Sequence, residues 1–180
     1  MAGWRGCECS AARWTRPSVR DLAALLNGLP ERAYRDALRR CCGSARWVEG
    51  MLARRPFADD AAVHAAAEEL WWALAPADWL EAFAQHPRIG DLRAAGWSRA
   101  EQAGVTGTEQ DTLRRLADGN REYERRFGHV FLICATGLSA TEMLGALDRR
   151  LRRDPGAELR TAAEEHAKIT RLRLDKLNHP

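Results

Sequence analysis

A chain of 180 residues, 46% of them apolar and seven of them Trp, fits one domain that buries roughly two-thirds of the surface its unfolded chain exposes, and it is too apolar for disorder. Its formal charge of +3 comes from 28 basic and 25 acidic residues that are interleaved throughout. All basic residues but Lys168 and Lys176 are Arg, a bias that codon usage in a GC-rich genome produces by itself, so a nucleic-acid-binding module is a minor alternative. The longest apolar runs, such as Leu70 to Pro76 and Val130 to Gly137, stop short of the roughly 20 residues of a membrane span.

Residues 1–17 mix Gly, Cys, Trp and Arg without a period and read as a loose extension lacking a signal-peptide core. The domain is expected over 18–180. Helical spacing of Leu22, Leu25 and Leu26, then of Tyr34, Leu38, Cys41 and Cys42, then of Trp47, Met51 and Leu52 predicts three amphipathic helices broken at Gly28 to Pro30, Gly43 and Pro56. A fourth is expected from about Asp59 to Leu74, with Pro76 ending or restarting it. Ala77 to Gln85 should form a short helix that stops before Pro87, leaving His86 in extended backbone. Further helices are expected from Trp97 to Gly104, Glu109 to Phe127, Thr141 to Arg152 and Ala157 to Leu177. The last should turn Leu159, Ala163, Ala167, Ile169, Leu172 and Leu174 broadly inward. No alternation is long enough for a sheet, so the fold class is all-α, a compact helical bundle.

The five cysteines are an odd number, and Cys41 and Cys42 are neighbours on a predicted helix whose side chains diverge, which argues against a disulfide framework. Cys7 and Cys9 lack partners at zinc-finger spacing, so no metal is expected.

His86-Pro87-Arg88-Ile89-Gly90 places an imidazole on a rigid turn that presents the ring, and such a ring is a candidate general acid or base. A lone loop His is more often a surface or capping residue. Ser98 followed by Glu101 is a capping-box signature, and capping is the better reading from the residues alone; a helix N-terminus is also a place to hold an anion. Phe131 to Ala135 reads as buried core between Gly128 and Gly137, with Cys134 an inert small hydrophobe. Arg173 is not distinguished from its many Arg neighbours by composition or spacing.

Taken together, several ordered blocks carry a resemblance: Leu26-Asn27-Gly28-Leu29-Pro30, Cys41-Cys42-Gly43-Ser44-Ala45-Arg46-Trp47, Arg55-Pro56-Phe57, Trp79-Leu80-Glu81-Ala82-Phe83 leading into His86-Pro87-Arg88-Ile89-Gly90, Trp97-Ser98 with Glu101-Gln102-Ala103-Gly104, Phe131 to Ala135, and Lys168-Ile169 leading to Arg171-Leu172-Arg173-Leu174. From about Leu25 to Leu177 the chain resembles the 2-oxo-4-hydroxy-4-carboxy-5-ureidoimidazoline (OHCU) decarboxylase family. The resemblance implies a helical fold and a cofactor-independent decarboxylation of the ureidoimidazoline to (S)-allantoin, the last step from urate. It implies His86 as catalytic proton donor with Glu101 beside it. It also implies substrate contacts from Pro87, Ser98, Gln102, Phe131, Leu132, Ile133, Cys134, Ala135 and Arg173, with Arg171 a competitor for the last role. A homodimer is implied too; that it has no nucleic-acid or membrane partner is expected from the interleaved charges and the short apolar runs. The compact spacer between His86 and Ser98 and an ending in Asn178-His179-Pro180 instead of Ser-Lys-Leu give the expectation of a bacterial, cytoplasmic protein. The rival within the residues alone is a non-catalytic helical scaffold in which His86 and Glu101 merely cap helices.

Overall fold

A computed structural model describes residues 21–88 and 107–178. Among these lie eight helices and no strand: α1 (Leu22–Gly28), α2 (Glu31–Cys41), α3 (Ala45–Ala53), α4 (Asp60–Trp72), α5 (Pro76–Phe83), α6 (Gly107–Phe127), α7 (Ala140–Arg150) and α8 (Pro155–Leu177). The all-helical expectation holds. The expected extension over 1–17 and the expected helix from Trp97 to Gly104 lie outside the described residues.

Local chemistry starts these helices where they start. Asp21 accepts from Ala23 N at 3.0 Å, Asp59 from Ala62 N at 2.7 Å, and Asp154 from Gly156 N at 2.9 Å, each satisfying a donor that the first turn leaves without a partner. Pro155 and Pro76 sit in the first turns of α8 and α5, where the missing N–H is no loss. The α5 boundary is thereby earlier than expected at both ends. Pro76 restarts the helical chain as the first residue of α5, one of the two expected outcomes, and Ala84 to His86 form a turn in which His86 N donates to Phe83 O at 3.0 Å.

Two apolar clusters result. The larger joins α1 to α5 with α8 through Leu26, Tyr34, Leu38, Trp47, Met51, Trp71 and Phe83; the smaller joins α6 and α7 through Leu116, Tyr123, Phe131, Leu144 and Leu147. Buried indoles find carbonyl partners, as such N–H groups must: Trp47 Nε1 donates to Ala67 O at 2.9 Å, and Trp71 Nε1 to Ala163 O at 3.0 Å, tying α4 to α8. Two blocks of the resemblance interlock: Asn27 holds both the N–H and the C=O of Phe57, at 3.0 and 2.8 Å, while Arg55 donates to Leu29 O at 3.0 Å and lies over the Tyr34 ring.

The inward face of α8 departs from expectation. Ala163 and Leu174 are buried as expected, but Leu159, Ala167, Ile169 and Leu172 are only half-buried, and the fully covered positions include Glu158, His166 and Thr170. Polar residues occupy the buried stripe because each serves a partner inside the molecule, as the site shows.

Candidate active site

His86 stands just past the end of α5. That end is pressed against the α2–α3 turn at Gly43, whose missing Cβ would meet Gln85 Cδ at 2.6 Å, and Gln85 Nε2 donates to Gly43 O at 3.2 Å. A side chain at Gly43 would displace the Gln85 side chain and break its hydrogen bond to Gly43 O. The His86 ring meets the His166 ring edge to face, centroids 5.0 Å apart and planes at 64°. Its Nε2 is buried and has no hydrogen-bond partner among the described residues. Burial first, then the Arg173 guanidinium, pushes the His86 pKa down to about 4, so the ring is neutral at pH 7.

Facing it is the irregular stretch between Gly128 and Gly137. Both glycines adopt left-handed backbone, φ +75° and +81°, which ends α6 and frees the intervening peptides from helical pairing. The stretch is instead held from behind. Arg150 Nη1 donates to Leu132 O at 2.5 Å, its Nε donates to Glu158 Oε1 at 2.6 Å, and its guanidinium lies 4.7 Å from the Phe131 ring centroid. Tyr123 donates its hydroxyl proton to Glu158 Oε1 and accepts from Arg150 Nη2 at 3.3 Å. Burial raises the Tyr123 pKa and keeps the phenol protonated. Further along, Cys134 N donates to Glu165 Oε2 at 2.8 Å, and Lys168 Nζ sits 2.6 Å from Glu165 Oε1. Burial pushes the Glu165 carboxyl upward, but the Cys134 N–H and Lys168 outweigh it and hold the pKa below the usual range.

These walls enclose a cavity of about 270 Å³. His86, Pro87, Phe131, Leu132, Ile133, Cys134, Ala135 and Arg173 all line it, together with Thr136, Ile169, Leu172 and Lys176. Of the expected site residues, the structure thus gathers these eight in one place. Arg173 Nη1 also reaches the C-terminal carbonyls of α2, Arg40 O at 3.4 Å and Cys41 O at 3.3 Å. Arg171 lines a different cavity with Trp71 and Trp72, so Arg173 is the arginine beside His86. Glu101, Ser98 and Gln102 lie outside the described residues. Among the described residues no cluster of His, Cys, Asp and Glu is placed to hold a metal.

Sequence reading missed His166. It is fully buried, stacked on Trp71 at 4.4 Å and 13°, with Nδ1 3.2 Å from Thr170 Oγ1 and Nε2 without a hydrogen-bond partner among the described residues. Burial first, then His86 and Arg173, lowers its pKa to about 3. The signal was available: Ala162, His166, Thr170 and Leu174 recur every four residues, a helix face on which a His is conspicuous. Arg150 and Glu158 gave no comparable signal, being two charges among many in an Arg-rich chain.

Comparison with known proteins decides the family. The model of the family described as OHCU decarboxylase matches residues 27–175. The chain belongs to the OHCU decarboxylase family. It is 38% identical over 146 residues to the Arabidopsis thaliana protein named uric acid degradation bifunctional protein TTL, covering 76% of this chain and 45% of that one. It is 39% identical over 88 residues to the mouse 2-oxo-4-hydroxy-4-carboxy-5-ureidoimidazoline decarboxylase, covering 49% of each. The chain spans about half the length of these curated relatives. A crystal structure of an OHCU decarboxylase in the presence of (S)-allantoin superposes with a TM-score of 0.69 at 35% identity, covering 81% of this chain and 99% of that one.

Proposed function

We propose that this OHCU decarboxylase family member removes carbon dioxide from 2-oxo-4-hydroxy-4-carboxy-5-ureidoimidazoline and protonates one face of the product to give (S)-allantoin. The observation that carries the reading is the convergence of His86, the Phe131 to Ala135 stretch and Arg173 on one cavity. In the substrate the carboxylate sits on a hydroxyl-bearing ring carbon adjacent to a ring C=N. When the C–CO₂ bond breaks, its electron pair forms a C=C to the imine carbon and the displaced C=N pair goes to the nitrogen, which takes a proton; the hydroxyl then gives up its proton as it becomes C=O, and the former imine carbon takes one. The substrate supplies its own electron sink, so no cofactor is needed.

The residues divide the remaining work. Arg173 pairs with the anionic or ureido end of the substrate, for which a planar guanidinium is suited. The 131–135 stretch supplies apolar walls and backbone groups held in fixed positions by Arg150 and Glu165, a preorganisation that favours the charge developing in the transition state. His86 enters neutral. A carboxylate arriving beside it screens Arg173 and adds an attractive charge, so its pKa rises and it acquires the proton that it later delivers to carbon. Glu101 assists that transfer, with Pro87, Ser98 and Gln102 completing the contacts. A bacterial, cytoplasmic homodimer is the setting this reading carries; sedimentation velocity checks the dimer.

The test generates the substrate in situ from urate with urate oxidase and hydroxyisourase and follows the circular dichroism of allantoin. Wild type should form (S)-allantoin rapidly, His86→Ala should lose roughly 10²-fold or more of the rate while staying folded, and Glu101→Gln should lose it to a similar degree. A wild-type rate equal to spontaneous decay would reject the reading.

A further inference from the structure

Beside the cavity lies a second, more open cleft of about 530 Å³, between the C-terminal end of α2 and the last turns of α8. Arg39 and Arg40 line it from α2, Arg173 and Lys176 from α8, and no carboxylate residue lines it. Cleft and cavity adjoin: Arg173 and Lys176 line both, and Gln85 on the cleft side is followed by His86 on the cavity side.

Elsewhere the arginines are commonly neutralised, Arg35 by Glu31 and Glu49, Arg54 by Glu69, Arg150 by Glu158. Around the cleft, Arg173 reaches only backbone carbonyls, and among the described residues no carboxylate pairs with Arg39, Arg40, Arg173 or Lys176. Basic residues in last turns complement the helix dipoles, which accounts for Arg39 and Arg40 on α2 and for Lys176 on α8. It does not account for Arg173, or for the convergence of the two basic helix ends on one cleft. Four like charges facing one solvent space repel one another, and an anion placed among them relieves that repulsion.

We propose that this basic cleft is the entrance through which the anionic substrate is drawn to Arg173 and the catalytic cavity. The proposal rests on the decarboxylase reading above. The substrate carries a carboxylate and decays spontaneously, so the rate of capture governs how much is converted on the enzyme. Its product, allantoin, has lost that charge, so the same field gathers substrate without retaining product. Arg39, Arg40 and Lys176 are exposed, and their effect is therefore a long-range one that salt screens over a length of roughly 8 Å at physiological ionic strength.

The experiment compares the full-length wild type with Arg39→Gln/Arg40→Gln, measuring kcat/KM from low salt to about 0.5 M, where the screening length falls to a few ångströms. Both backbone carbonyls that receive Arg173 survive these substitutions. At low salt the double variant should lose roughly five- to tenfold in kcat/KM, the gap should close to within about twofold at high salt, and inhibition by neutral (S)-allantoin should not change. Arg114→Gln/Arg149→Gln, the same charge change at exposed positions on α6 and α7, should stay within about twofold of wild type at every salt concentration. A loss that is equal at all salt concentrations, an equal loss of allantoin binding, or no loss at all overturns the entrance. An inactive wild type is a different result: it removes the decarboxylase reading, and the entrance falls with it.

Discussion

Behind the cavity, Arg150, Glu158 and Tyr123 form a charged cluster whose bonds are nearly closed, whereas His86 and His166 form a neutral one whose Nε2 atoms make no bond to any described residue. The first is buried, the second joins the buried His166 to the half-buried His86, and burial penalises charge in both. The first answers the penalty with complementary charge and so fixes geometry: Arg150 holds Leu132 O, and Arg153 Nη1 stands 3.8 Å from Glu158 Oε2. The second answers it by giving up its charge and holds its imidazoles neutral. Under the proposed function, rigid placement falls to the first group and proton transfer to His86 of the second.

Breaking the closed cluster should have the largest effect. Arg150→Met leaves Glu158 buried without its cation and Leu132 O without its donor, a change expected to cost about 3–5 kcal/mol in urea unfolding. Replacing both partners, Arg150→Met with Glu158→Met, should recover much of that loss, because the penalty belongs to the orphaned charge and not to the absence of the pair. A double variant no more stable than the single one would show that the cluster's hydrogen bonds to Leu132 and Tyr123, and not its charge balance, hold this end of the molecule.

The open cluster should reveal itself in acid. The pKa values of His86 and His166 lie near 4 and 3 in the folded chain, below the ordinary His value near 6.5. Between those limits the unfolded chain binds more protons than the folded one, so stability present above about pH 6.5 is lost as pH falls. His166 alone accounts for a loss on the order of 3 kcal/mol by pH 4. His166→Phe keeps a flat ring against Trp71 and removes the titration, so its unfolding midpoint should depend less steeply on pH than that of wild type. Identical slopes would mean that His166 does not titrate with unfolding.

The same contrast explains what could be read from the sequence. Every described helix was expected from the sequence, most of them from the spacing of apolar residues, and motif order marked His86, Pro87 and Arg173 as candidates that the structure places on one cavity. Boundaries shifted where capping decided them, as at Pro76, since a proline both breaks and begins helices. The supports of the site were not visible. Arg150 and Glu158 are eight residues apart on different helices, and their pairing depends on how α7 meets α8, which no local pattern encodes. Glu165 likewise looks like a solvated acid on a charged helix until Cys134 N is seen to donate to it.

Glu165 gives the smallest and most specific test, because it joins the two kinds of site: a charged acceptor, supported by Lys168, that holds a backbone group of the neutral wall. Glu165→Ala removes a charge-assisted bond from a half-buried position, worth about 1.5 kcal/mol, and releases Cys134 and its neighbours toward the cavity. Because the stretch is also held at Leu132 by Arg150, the loss should be confined to its far end. The expected result is a roughly five- to tenfold weaker binding of (S)-allantoin with urea unfolding changed by no more than about 1.5 kcal/mol, and Glu165→Gln, which keeps an acceptor, should restore most of the affinity. If Glu165→Ala binds as wild type does, Arg150 alone suffices to shape the wall, and the two-sided support inferred for residues 131–135 reduces to one.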